Sequence, residues 1–319
     1  MTHQKKMSFV RLVDSMGTDE SIVQAARVSY GAGTKSVSDD RALIRYLMRH
    51  KHTTPFEMVE FKFHIRAPIY VARQWLRHRT ASVNEMSARY SVIPDEFFLP
   101  ETLRKQSTTR GQGGEEPFES PQGGNLLQKQ KASCDFAFYV YDELLEKGVS
   151  RELARAHLPQ CTFTEFYWKI DLHNLLHFLQ LRMEDHAQKE IRDVASQVYE
   201  AIKPIVPVTC EAFEDFRLGS VTLSRLEVEA IRQCVLTNSA PQLPGKGENA
   251  EYKEKLKLLG FVVPNGQGAP STRVSGDEGR ASDSQAHFEE PRPFEGVCSG
   301  CSVALEQDST DSPCADVST

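Results

Sequence analysis

The sequence predicts one domain that mixes strands with helices over residues 1–260, followed by an acidic tail over 261–319. Three observations carry this. Phe61, Phe63, Ile65 and Ala67 alternate with Glu60, Lys62, His64 and Arg66, the period of a half-buried antiparallel strand. Elsewhere, as in 19–30, 38–50 and 171–182, apolar residues recur at helical spacing. Charge then divides the chain: the tail holds three Arg, no Lys and ten Asp and Glu, near −7. The body keeps 35 of the 38 basic and 34 of the 44 acidic residues and is near neutral.

Taken in order, residues 8–14 read as a short strand. Residues 19–30 form a helix with acids in its first turn and Ile22, Val23 and Ala26 on one face. A Gly-rich turn follows, and a helix over 38–50 places Asp39 and Asp40 at its positive end. The hexamer 52–57, His-Thr-Thr-Pro-Phe-Glu, reads by spacing as a turn before the alternating strand. Pro68 opens a helix reaching Leu76. Residues 104–125 lack an apolar period and read as a flexible loop that orders only over a ligand. A long helix over 126–147 stops at Gly148, and Ser150 caps a shorter one, 151–157, that carries Arg155.

Residues 161–170 are aromatic and β-prone, hence a strand, and 171–182 is the helix that follows it. Helix resumes over 187–202, Pro204 and Pro207 interrupt it, 211–216 adds a turn, and weaker helices at 226–236 and 252–259 finish the body. From Phe261 the chain has too few apolar residues to offset the entropy of ordering it, and the tail is expected to be disordered. Its Cys298 and Cys301 form a lone Cys-x-x-Cys, a weak redox or zinc signal. Seven scattered cysteines, with neither an apolar leader nor a long apolar run, point to a cytoplasmic protein with no membrane contact.

The densest chemistry lies between Arg77 and Tyr90. Three arginines, a histidine, a carboxylate, an amide and two serines fall within fourteen positions. Guanidinium forks suit phosphate, and Asn84, Glu85 and Ser87 suit a polar ring. Phosphate plus heterocycle is the ligand class this implies. On charge pattern alone the stretch would be a basic turn in which Glu85 and Arg89 pair at helical spacing.

Its order says more. Arg-His-Arg-x-x-Ser-x-Asn-Glu-x-Ser-x-Arg-Tyr, residues 77–90, resembles the motif of the flavin-dependent thymidylate synthases (ThyX family) at every fixed position. Two further blocks agree: His52-x-x-Pro55-Phe56-Glu57, and the run from Asp171 through Arg182 to Gln188. The resemblance covers roughly 8–220. It implies an α+β fold with a substantially antiparallel sheet and long helices, assembled as a homotetramer with sites between subunits.

It also implies the chemistry. dUMP becomes dTMP with 5,10-methylenetetrahydrofolate as one-carbon donor, FAD as hydride carrier and NADPH as reductant. FAD would meet Thr54, Arg77, His78, Arg79, Glu85, Asp171, Leu172, His173 and His177. The dUMP would lie against Gln74, Trp75, Leu76, Arg77, Glu85, Met86, Ser87, Ala88, Arg89, Arg155 and Arg182. Arg182 would be catalytic, favouring loss of the uracil N3 proton and pushing electron density toward C5. Asp171 and His177 stand where some members carry amides.

Two other classes were weighed. A nucleic-acid or phosphate-binding module would use the arginines but needs a basic surface. A metal-dependent hydrolase would use His173 and His177, four apart, with Asp185 and His186 nearby; no third ligand completes a known pattern, and no metal is expected. Cys161, in Pro-Gln-Cys-Thr, differs from the Pro-Cys-His of flavin-free thymidylate synthases and reads as an inert, partly buried thiol.

Overall fold

The computed structural model describes residues 7–28, 40–108, 114–237, 242–243 and 246–261. The expected Gly-rich turn, the first residues of the second helix, and the tail beyond Phe261 with Cys298 and Cys301 lie outside the described residues. The elements run β1 (Phe9–Met16), α1 (Asp19–Val28), α2 (Asp40–Arg49), α3 (Thr54–Glu57), β2 (Glu60–Pro68), α4 (Ile69–Trp75), β3 (Ser82–Glu85), β4 (Arg104–Gln106) and β5 (Gly114–Pro117). They continue with α5 (Gln122–Glu146), α6 (Arg151–Ala154), β6 (Phe163–Asp171), α7 (Leu172–Met183), α8 (Lys189–Ile202), α9 (Pro207–Phe213), α10 (Arg225–Thr237) and α11 (Lys246–Leu258).

Four strands form one antiparallel sheet in the order β1-β2-β6-β3, with Phe63 opposite Trp168 and Asn84 opposite Tyr167. The expected alternation of β2 is its burial pattern. Phe61, Phe63, Ile65 and Ala67 are buried with Phe166, Trp168 and Ile170 of β6. The opposite face is polar: His64 meets Glu165 at 2.9 Å, Lys169 meets Glu60 at 3.0 Å, and Arg66 pairs with Glu96.

Helices α4, α7 and α8 cover the apolar face, and Trp75, Trp168 and Phe178 form its centre. Trp75 lies 5.1 Å from Trp168 and 4.3 Å from Phe178, ring centroid to centroid. Truncating one such buried aromatic costs about 3–5 kcal/mol.

Several boundaries differ from expectation for identifiable reasons. The loop expected over 104–125 contains the antiparallel pair β4 and β5; 109–113 lie outside the described residues. The expected interruption after Ile202 is present, and Pro207 begins α9, because a first-turn position needs no N–H donor. Asp19 caps that helix across the fold, accepting from the backbone N–H of Val208 and Thr209 and from Thr209 Oγ1. The hexamer 52–57 coils into α3.

Helix α2 ends in a Schellman turn, with His52 N–H donating to the Leu47 carbonyl and Lys51 N–H to that of Met48. Lys51 takes the left-handed position at φ 59°, whereas Gly148 takes the equivalent place after α5. Glycine meets no Cβ clash there. Lys51→Gly is therefore expected to raise stability by about 1 kcal/mol in urea unfolding; an equal loss would show that the lysine side chain holds a contact that outweighs the strain.

Candidate active site

Helix α4 turns its last residue, Trp75, fully into the core. The chain then reverses, with Leu76 N–H donating to the Ala72 carbonyl and His78 N–H to that of Trp75. This turn presents Arg77, His78 and Arg79, and pairing of Ser82 with Lys169 returns the chain to the sheet. Across from it stands the first half of α7, whose N-cap, Asp171, accepts from Asn174 backbone N–H at 3.0 Å and from Asn174 Nδ2 at 2.7 Å. Between them is a cleft of about 440 Å³ lined by Arg77, His78, Arg79, Thr80, Ile170, Asn174 and His177.

Arg77 and Arg79 make no ion pair among the described residues, so their donors are open to a ligand. His78 is different. Its Nε2 accepts from Arg182 Nε at 3.0 Å, and Arg182 Nη2 reaches the Gln74 carbonyl at 3.5 Å. Burial, then the charge of Arg182, then His177, push His78 down to about 4. The imidazole is therefore neutral at pH 7 and serves as an acceptor that aims the guanidinium. Burial also lowers Arg182 from its usual value.

The other expected site residues are distributed as follows. Thr54 is exposed at the first position of α3, which packs on α7. His173 is half-buried outside the cleft lining. Trp75 and Leu172 are core residues with fully buried side chains, and Leu172 N–H is donated to the Val59 carbonyl, so neither offers a side chain to a ligand.

Glu85 does not pair with Arg89. Its Oε1 accepts from Thr164 Oγ1 at 2.6 Å, while Arg89 Nε donates to Glu152 at 2.6 Å, because 82–85 is an edge strand and not a helix. Ser87 Oγ accepts from Arg89 N–H. Met86 and Ala88 pack on the small apolar cluster of Ile93, Phe138 and Tyr141, and Arg155 is half-buried after α6.

The expected dUMP residues are thus not gathered in one pocket of one chain. Arg77 lines the first cleft, whereas Met86 lines a second of about 280 Å³ with Arg66, Pro94, Glu96, Phe163 and Glu165. Strand β6 contributes to both, Ile170 to the first and Glu165 to the second. Those two point to opposite faces and lie about 17 Å apart along the strand at ~3.3 Å per residue.

Asn174, Thr80 and Ile170 escaped the sequence reading. Asn174 could have been found as the neighbour of His177 at i, i+3 once the cleft face of α7 was known. Among the described residues no three His, Cys, Asp or Glu converge as metal ligands. Cys161 Sγ lies 3.4 Å from Cys134 Sγ, a contact no spacing suggested. Burial pushes Cys134 up to about 12 and raises Cys161 too, so neither is a ready thiolate.

Comparison with known proteins bears on these clefts. The profile of the thymidylate synthase complementing protein family matches residues 11–208. A flavin-dependent thymidylate synthase of Dictyostelium discoideum is 56% identical over 268 residues, 81% of this chain and 86% of that one. One from Thermus thermophilus is 56% identical over 224 residues, 70% and 82% of the two chains. The crystal structure of a UMP/dUMP methylase, PolB, from Streptomyces cacaoi bound with 5-Br dUMP superposes with a TM-score of 0.60 at 37% identity, covering 67% of this chain and 97% of that one.

The His78 geometry makes a pH prediction. A histidine lowered from 6.5 to about 4 leaves the folded chain binding fewer protons than the unfolded one, so stability is lost as pH falls through that window and is unaffected above it. His78→Gln keeps an acceptor for Arg182 but cannot titrate. Its melting temperature is expected to fall less steeply than the parent's between about pH 6.5 and about pH 4; parallel slopes would show that His78 is not the group responsible.

Proposed function

The chain belongs to the flavin-dependent thymidylate synthase family, and from that premise we infer how its own residues make dTMP from dUMP. It is a flavin-dependent thymidylate synthase. The observation that carries the assignment of roles is the cleft where two unpaired guanidiniums, Arg77 and Arg79, face Asn174 and His177 beside a neutral His78. That donor set suits FAD, whose diphosphate takes charge-assisted bidentate bonds and whose ring edge takes amide and imidazole contacts. When bound, the flavin supplies the hydride that completes the methyl group, with NADPH as reductant and 5,10-methylenetetrahydrofolate as one-carbon donor.

We assign the flavin to Thr54, Arg77, His78, Arg79, Glu85, Asp171, His173 and His177, with Asn174 added from the cleft and Leu172 limited to its carbonyl. The nucleotide is assigned to Gln74, Arg77, Glu85, Ser87, Arg89, Arg155 and Arg182. Trp75, Leu76, Met86 and Ala88 shape the backbone between these groups. Arg182 spends its Nε on His78 and reaches the Gln74 carbonyl with Nη2, which leaves Nη1 for the uracil edge. There a guanidinium stabilises the negative charge left by the N3 proton and directs electron density to C5. No step calls for a thiolate, in keeping with the raised thiols of Cys134 and Cys161.

Because Arg77 alone of the expected nucleotide residues lines the first cleft and Met86 alone the second, we propose that each site is completed by a second subunit of a homotetramer. Apolar Phe136 and Tyr139, 66% and 62% exposed on α5, suit such an interface. No helix among the described residues is long and apolar enough to cross a membrane, and the described cysteines are free thiols, which favours work in the reducing cytoplasm.

Two outcomes test this. Arg182→Lys keeps charge but loses the planar fork, so dTMP formation should fall by about a hundredfold or more with flavin content unchanged; near-parental turnover would remove Arg182 from the mechanism. Arg77→Ala and Arg89→Ala should each be nearly inactive, and mixed oligomers of the two should regain up to about a quarter of the sites. No recovery in demonstrably mixed oligomers would confine both arginines to one chain's site.

A further inference from the structure

A polar relay runs from the cleft's rim to the hairpin. Gln74 Nε2 donates to Gln188 Oε1 at 2.6 Å, Gln188 Nε2 donates to Glu190 Oε2 at 2.8 Å, and Arg104 Nη2 donates to Glu190 Oε1 and Oε2 at 2.8 and 3.1 Å. It joins α4, the first turn of α8 and β4. We propose that Glu190, acting through Gln188, fixes which atom of Gln74 faces the nucleotide, and that Arg104 locks Glu190 in place. The proposal rests on the reading that Gln74 contacts dUMP.

The polarity of the relay follows from its acidic end. An ionised carboxylate only accepts hydrogen bonds. Burial would raise Glu190, but the bonds from Arg104, its own backbone N–H and Gln188 outweigh that and hold it below the ordinary carboxylate value. Gln188 must therefore turn its NH2 group toward Glu190 and its carbonyl toward Gln74. Gln74 in turn must point its NH2 group at Gln188 with one N–H engaged there, which turns Oε1 away from Gln188.

An amide side chain can otherwise flip between donor and acceptor faces at little cost. Here a flip of Gln188 would break its bond to Gln74 and its bond to Glu190, a side chain that is 9% exposed. Gln74 is thereby held with its acceptor Oε1 outward, matched to a donor on the nucleotide: the deoxyribose hydroxyl or the uracil N3–H. Oε1 is mismatched to the phosphate, which only accepts. Glu190, Gln188 and Arg104 are positioning residues, since none needs to touch the substrate.

The experiment is steady-state kinetics on the full-length flavin-loaded enzyme with Glu190→Gln, Glu190→Asp, Gln188→Leu and Gln74→Ala, alongside flavin content and melting temperature. Glu190→Gln is isosteric but can donate, so it removes the polarity. It and Gln188→Leu should raise the KM for dUMP about tenfold with kcat within about threefold and flavin content intact. Glu190→Asp keeps the acceptor and should lie closer to the parent. Gln188 is exposed, so its variant tests the relay even if Glu190→Gln does not fold. If Gln74→Ala raises KM and Gln188→Leu does not, the relay is overturned; if Gln74→Ala itself leaves KM unchanged, it is the reading of Gln74 as a nucleotide contact that falls.

Discussion

The polar cleft depends on an apolar contact. Trp75 must sit against Trp168 and Phe178 for α4 to end where it does, and the turn carrying Arg77, His78 and Arg79 begins at the next residue but one. The packing is strong enough to absorb a cost, because the indole N–H groups of Trp75 and Trp168 are both buried without a partner. Each such orphan is worth about 1–3 kcal/mol against the fold. Aromatic burial on three sides outweighs it. The family motif is therefore held from behind by fully buried side chains.

On that frame, charge is sorted by burial. Arg77 and Arg79 stay exposed, with no ion pair among the described residues. Arg182 is drawn partly out of water and given a neutral imidazole as its partner in place of a carboxylate. A carboxylate there would neutralise the guanidinium; an imidazole aims it without neutralising it. Glu190 and Arg104 do the opposite, pairing their charges so that only the direction of two amides is passed on.

Much of this was legible in the sequence. The alternation of β2 survives intact because one sheet face is buried and the other solvated, and the motif from Arg77 to Tyr90 identified the ligand class before any geometry. Three things were not legible. The face of α7 that looks into the cleft depends on how α4 and β6 meet, so Asn174, which lines it beside His177, was not foreseen. The pairing of β4 with β5 joins Arg-Lys-Gln to Gly-Glu-Glu-Pro, which leaves no apolar period. The relay joins residues 114 and 86 positions apart, beyond the reach of any local pattern.

The central claim is that the cleft between Arg77 and His177 carries out its chemistry through a bound flavin and that Arg182 activates the pyrimidine beside it. Its most direct test is a single turnover. Enzyme loaded with FAD is reduced without oxygen, then mixed with dUMP and 5,10-methylenetetrahydrofolate while flavin absorbance at about 450 nm and dTMP are followed together. The account predicts one dTMP for each flavin reoxidised, with both lost in step in Arg182→Lys. Formation of dTMP without flavin reoxidation would contradict it.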